Sequence, residues 1–156
     1  MTKYIIAFLI SMVPIVELRG GVPYAMAAGL DRVPAVFMCA IANLLPVPIV
    51  YMFARKFLLW GAKQKHIGKF CGFCLEKGEK AGRKLTRSTG RFGSFVALML
   101  FVGIPVPGTG AWTGTLAASL LDLGPKTTAA AVSLGVIMAG IIMAVASGSV
   151  FHIVGI

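Results

Sequence analysis

The residues best placed to do chemistry are Glu17 and Arg19, two positions apart in the breaker-rich stretch Pro14-Ile-Val-Glu-Leu-Arg-Gly-Gly-Val-Pro23. Apolar runs flank it, Tyr4–Val13 before and Val22–Leu30 after. Holding an ionised group at membrane depth costs at least ~2.5–3.5 kcal/mol on insertion scales, so such a group has either a partner or a task. A carboxylate can take up a proton, and a guanidinium can hold an anion with two parallel hydrogen bonds. The plainer alternative is that Glu17 binds Arg19 or nearby backbone and merely holds the loop. Gly20 and Gly21 leave backbone N–H groups open to a ligand, and Pro23 suits the first turn of a helix. The helix beginning there aims its positive dipole end at the two charges.

A second stretch, Pro105-Val-Pro-Gly-Thr-Gly-Ala-Trp-Thr-Gly114, has the same breakers and no charge. Its candidates are Gly108, Thr109, Gly110, Trp112 and Thr113, with Trp112 either a gate or a packed aromatic. Two helix N-termini and Arg19 together favour an anion, phosphate or carboxylate, as substrate, with Glu17 as the proton-coupling group. Asn43 is the other buried polar candidate, and an interhelical hydrogen bond is its simplest role. Asp31 and Asp122 each precede a long apolar run and read as helix caps.

Enzyme chemistry finds no foothold. The pair Cys71/Cys74 is a lone CxxC without the second pair a structural zinc site needs, and His66 cannot complete it. Cys39 lies in an apolar run and acts as a small hydrophobe. There is no P-loop, no HExxH and no nucleophile elbow, so neither a cofactor nor a metal is expected.

The elements that must position the candidates are set by the bilayer. Apolar residues make up 58% of the 156, charged residues 13%, and mean hydropathy is +0.89. Soluble domains run about 45–50% apolar and ~25% charged, so this chain reads as an all-α integral membrane protein. Tyr4–Val13 and Val22–Leu30 are ten and nine residues, each half of a span. Joined at a polar tip, they describe a re-entrant hairpin. Val33–Ala54 is long enough to span, with a kink expected at Asn43, Pro46 and Pro48. After a basic segment the order restarts: a half-length run Ser94–Ile104, the second tip, a short run Thr115–Leu121, and a span Thr127–Val150.

At a gapless offset of 91, Leu9 falls on Leu100, Pro14 on Pro105, Ala27 on Ala118, Leu30 on Leu121, Asp31 on Asp122, Pro34 on Pro125 and Ala40 on Ala131. This predicts an internal repeat, half 1 over residues 3–55 and half 2 over 94–150, with a linker over 56–93. A hairpin returns to its starting side and one span crosses, so the second half is inverted. The linker region carries the net charge of +10 almost alone, with eleven basic residues and two acids between Arg55 and Arg91. That places it in the cytoplasm and both termini outside. Ile67, Phe70, Cys71, Cys74, Leu75, Gly78, Ala81 and Leu85 recur at helical spacing within it, which predicts a basic amphipathic helix on anionic lipid head groups rather than a nucleic-acid binder. Its glycines, Gly68, Gly72, Gly78 and Gly82, oppose helix formation. Two full spans make a thin bundle, which points to a homodimer.

Three ordered motifs, Glu17-Leu-Arg-Gly-Gly-Val-Pro23, Ala42-Asn-Leu-Leu-Pro-Val-Pro48 and Pro105 to Gly114, resemble the signatures of the small multidrug export family. That family in turn resembles the DedA superfamily, whose members are proposed to have paired re-entrant hairpins, some being implicated in returning undecaprenyl phosphate across the bacterial membrane. The resemblance implies a multi-pass protein of a prokaryotic cell membrane: a transporter or lipid translocase moving an anionic lipid such as a polyprenyl phosphate. Export of small organic compounds is the alternative the family title implies. A non-transporting scaffold is the third reading. Glu17 matches the acidic residue of the DedA first hairpin, whereas the segment Gly103 to Gly114 lacks the arginine of the DedA second hairpin.

Overall fold

Each apolar run becomes a helix, and each cluster of breakers becomes a joint. In the computed structural model, which describes residues 1–14, 16–64, 68–106 and 109–154, the order is α1 (Thr2–Met12), α2 (Glu17–Ala27), α3 (Arg32–Leu44), α4 (Val47–Gly61), α5 (Gly68–Gly103), α6 (Ala111–Leu120) and α7 (Pro125–Val154). No strand occurs among the described residues. Helices α1 and α2 have 11 residues each and α6 has 10. Each rises roughly 15–16 Å, about half the ~30 Å hydrocarbon core. The stretches Arg32–Gly61 and Pro125–Ser149 are long and apolar enough to cross a membrane.

Helix α2 begins six residues earlier than the proline signal suggests. Pro23 lies inside it rather than in its first turn. Packing overrides the local signal: Gly21 sits so close to α1 that a Cβ would collide with Ser11 Oγ and stand 3.0 Å from the Ala7 carbonyl. Gly20 is likewise helical, its N–H donating to the Val16 carbonyl at 3.1 Å. These glycines seat one hairpin arm on the other and do not offer open N–H groups. Pro23 leaves only the Arg19 carbonyl without its i+4 donor, a defect a packed membrane helix tolerates.

The expected kink is a full break. Pro46 and Pro48 cannot donate to the carbonyls of Ala42 and Leu44, so α3 ends at Leu44 and α4 restarts at Val47. The basic segment is helical despite its glycines and runs on to the bend at Gly90 (φ 70°, ψ 177°), beyond which lies the first arm of the second hairpin.

Small side chains fill the interfaces: Ala7, Ala25, Ala35, Ala111, Ala118 and Ala131 are all fully buried. Small residues let membrane helices approach closely where no hydrophobic effect drives them together. Gly135 is an instance, standing against the Met99 carbonyl and Val102 of α5. Large side chains point outward instead, Phe37 at 69% exposure and Phe53 at 67% among them, which suits contact with lipid and not with water. Within the first half α1 packs on α2 and α3; within the second, α5 packs on α6 and α7; across them, α2 lies on α7 and α6 on α4.

The gapless repeat needs correcting. Buried Ala7 and Ser11 of α1 do correspond to buried Leu98 and Val102 of α5 at an offset of 91. After the tips the offset is 93. Helix α2 ends with N–H bonds from Ala28 to Tyr24, Gly29 to Met26 and Leu30 to Ala25; α6 ends with the same set from Leu121 to Ala117, Asp122 to Ser119 and Leu123 to Ala118. Gly29 and Asp122 share the left-handed conformation at φ 73° and 54°. The second tip is thus longer by two residues, and the match of Asp31 with Asp122 is a coincidence of sequence. Neither aspartate is a side-chain cap: Asp31 precedes α3 with no cap bond, and Asp122 is ion-paired with Arg55 of α4.

Candidate functional site

A helix that stops and restarts leaves carbonyls bare at one end and N–H groups bare at the other. The second hairpin does this between Gly103 and Ala111, and the first tip supplies a charge for each end. The Glu17 carboxylate accepts from the N–H of Ala111 (Oε2, 3.1 Å) and of Trp112 (Oε1, 3.1 Å), the first two residues of α6. Arg19 Nη2 donates to the carbonyls of Val102 (3.4 Å) and Ile104 (3.1 Å), where α5 runs out, and to Thr109 Oγ1 (3.1 Å). The carboxylate therefore meets the positive dipole end and the guanidinium the negative one. Glu17 and Arg19 also pair with each other at 3.8 Å.

The cluster is closed. Glu17 is 2% exposed, and its backbone is held at φ 52°, a left-handed conformation costing a non-glycine residue roughly 1–2 kcal/mol. The two N–H bonds and Leu18, buried beside it, hold the strained residue in place. Gly110 is what lets the carboxylate in: a Cβ there would fall on the Glu17 carboxylate itself. Thr109 completes the ring, its hydroxyl within 3.0 Å of the Ile104 carbonyl and 2.9 Å of the Val106 carbonyl.

Among the sequence candidates, Glu17, Arg19, Thr109, Gly110 and the backbone of Trp112 come together. Gly20 and Gly21 face α1, Thr113 is exposed on α6, and Gly108 lies outside the described residues. Asn43 is fully buried, yet neither atom of its amide has a hydrogen-bond partner among the described residues, so the interhelical bond expected of it is not found. The Trp112 indole lines an apolar cavity of about 400 Å³ with Phe53, Phe57 and Leu116, while its Nε1 is buried and has no hydrogen-bond partner among the described residues. The helix N-terminus expected at the second tip is the one that receives Glu17, whereas the groups sequence reading missed, the carbonyls of Val102 and Ile104, belong to the backbone and carry no side-chain signal.

No cluster of His, Cys, Asp or Glu among the described residues could hold a metal ion. The arrangement can instead bind a proton at Glu17, or exchange the carboxylate for another anion at the α6 N-terminus. The family model described as "Putative small multi-drug export protein" matches residues 17–142, a span that begins at Glu17 and takes in the second tip and the residues of the Glu17 cluster. No curated protein and no solved structure matches this chain.

Proposed function

Since the chain belongs to the small multi-drug export protein family, we propose that it is a proton-coupled membrane transporter in which Glu17 of the first tip locks the second tip shut. Family membership and the two long apolar helices support a membrane protein with a transporter-like role, and point away from an enzyme. The observation that carries the coupling is the reach of one buried carboxylate across 94 residues to the first turn of α6. A proton on Glu17 removes the negative charge from that helix end and weakens the lock. The tips then part, and the two N–H groups with Arg19 stand open to an anionic head group, such as that of a polyprenyl phosphate. In this reading the basic linker is cytoplasmic, the two halves are inverted, and the closed cluster is the occluded state.

The test is transport by the full chain in proteoliposomes across an imposed pH gradient, with two probes, a fluorescent prenyl phosphate and ethidium. The parent moves at least one probe with a pH dependence that Glu17→Gln removes. Movement of ethidium alone favours export of small organic compounds over lipid translocation. A variant that transports like the parent at every pH overturns the coupling role. A second reading, a non-transporting scaffold, draws on the same cluster, because Glu17 is buried and paired with Arg19 at 3.8 Å. It predicts that the parent moves neither probe and that Glu17→Gln affects stability only.

A further inference from the structure

The basic part of α5 makes one very close contact with the α6–α7 corner, at Gly82. Gly82 presses against the corner between α6 and α7 so closely that a Cβ would overlap the Leu121 carbonyl. The next residue of that corner, Asp122, is held from the other side by Arg55 of α4. Three elements therefore meet at a fixed point, and a groove of about 840 Å³ opens beside it, between the basic face of α5 and the corner.

Four cations line the groove: Lys80, Arg83, Lys84 and Arg87, spaced three and four residues apart on one helix face. Two of them are already matched, Lys80 with Glu76 at 2.6 Å and Arg83 with Glu79 at 3.9 Å. Asp122 is occupied by Arg55. Lys84 and Arg87 make no ion pair among the described residues, so the uncompensated charge of the groove is theirs. Thr86 and Ser88 also border it. On the same helix Phe73 and Phe92 are exposed, at 58% and 78%, one before the basic turns and one after. Exposed aromatic rings flanking a basic stretch suit the boundary between head groups and acyl chains.

We propose that this groove is a specific site for the phosphate of an anionic membrane lipid, held by Lys84 and Arg87 against the α6–α7 corner. Diffuse attraction to a negative surface would use all the linker cations alike. A docked groove uses two of them and ignores others of equal charge. Bound lipid tightens the corner that carries α6, whose other end is the helix start that Glu17 caps. The proposal stands apart from the transport reading, since it concerns lipid retention and not movement.

Lipid retention is measured on the purified full chain by native mass spectrometry, with phosphatidylglycerol and phosphatidylcholine offered together. The parent retains phosphatidylglycerol selectively. Lys84→Gln with Arg87→Gln weakens that retention on the order of a hundred-fold, from the loss of two charge-assisted hydrogen bonds at roughly 1.5 kcal/mol each. The control, Lys63→Gln with Lys69→Gln, removes the same charge from exposed positions outside the groove and leaves retention within about three-fold of the parent. Equal losses in the two pairs would show diffuse attraction and overturn the site. Displacement of the lipid by millimolar inorganic phosphate, but not by sodium chloride of matched ionic strength, would make it a free-anion site and overturn the lipid assignment. Transport can fail in the proteoliposome test with this result unchanged, so the two proposals fail separately.

Discussion

The two tips solve the same problem with opposite materials. The first carries Glu17 and Arg19; the second, Ile104 to Gly110, carries no ionisable side chain. What the second offers is backbone, the carbonyls of Val102 and Ile104 and the N–H groups of Ala111 and Trp112. One tip supplies charges and the other supplies the dipole ends that receive them. Repeated halves would allow each tip to serve the other in turn, but two additional residues and the absence of charge in the second tip remove that option. In the lock proposed above, the one carboxylate that meets the α6 N-terminus among the described residues is that of Glu17.

The largest effect expected is at the receiving side. Gly110→Ala places a methyl group where the Glu17 carboxylate sits, so the carboxylate must leave the α6 N-terminus. Separating a buried charge from its partners costs about 3–5 kcal/mol. Thermal unfolding in detergent should show this loss, along with freer access of thiol reagents to a cysteine at position 111. Gly20→Ala meets the side chains of Val16 and, at 3.4 Å, Ile10, with no charge displaced, and should cost much less. Should the two variants melt together, the second tip is not shaped around Glu17.

On the supplying side the losses are smaller. Arg19→Gln removes three acceptor contacts and the neighbour of Glu17, for about 2–3 kcal/mol. Glu17→Gln keeps an oxygen able to accept one N–H and loses the charge, for about 1.5–2 kcal/mol. Because the residues touch, the double variant should cost less than the sum of the singles by about 1 kcal/mol. Additivity within about 0.3 kcal/mol in unfolding measurements would mean that the two charges serve the tip independently.

The all-helical order of elements was legible because apolar runs and breaker clusters reflect backbone chemistry, which is local. Glu17 and Arg19 stood out for the same reason, as ions in an apolar setting. The α6 N-terminus was legible as a helix start facing them, but the carbonyls that receive Arg19 were not, since a backbone carbonyl at Val102 or Ile104 looks like any other in the sequence. The start of α2 was misplaced because Gly20 and Gly21 read as a loop, whereas their fit against α1 is what makes them helical. The gapless offset missed two residues of the second tip, and shared aspartates at positions 31 and 122 disguised the error. Asn43 was given a partner that is not found among the described residues, because a buried amide usually has one.

The smallest effect sharpens the comparison at the far ends of the two short helices. Gly29 and Asp122 occupy the same place in the same pattern of hydrogen bonds, both left-handed. Glycine adopts that backbone freely, whereas a residue with Cβ resists it by roughly 1–2 kcal/mol, aspartate less than most. Asp122 in return pairs with Arg55, but both side chains are substantially exposed, and such pairs contribute only about 0.2–1 kcal/mol. Asp122→Gly therefore exchanges one modest term for another and should leave stability within about 0.5 kcal/mol of the parent. Asp122→Ala loses the pair and keeps the strain, and Gly29→Ala adds strain where there was none; each should cost about 1 kcal/mol. Raising the salt separates the terms, because screening weakens the Arg55 pair in the parent and leaves the backbone term untouched. At high salt Asp122→Gly should overtake the parent in thermal unfolding, while Gly29→Ala stays as far below it as before. If Asp122→Gly instead falls as low as Asp122→Ala at every salt concentration, the ion pair and not the backbone governs this corner, and the equivalence of positions 29 and 122 has no energetic content.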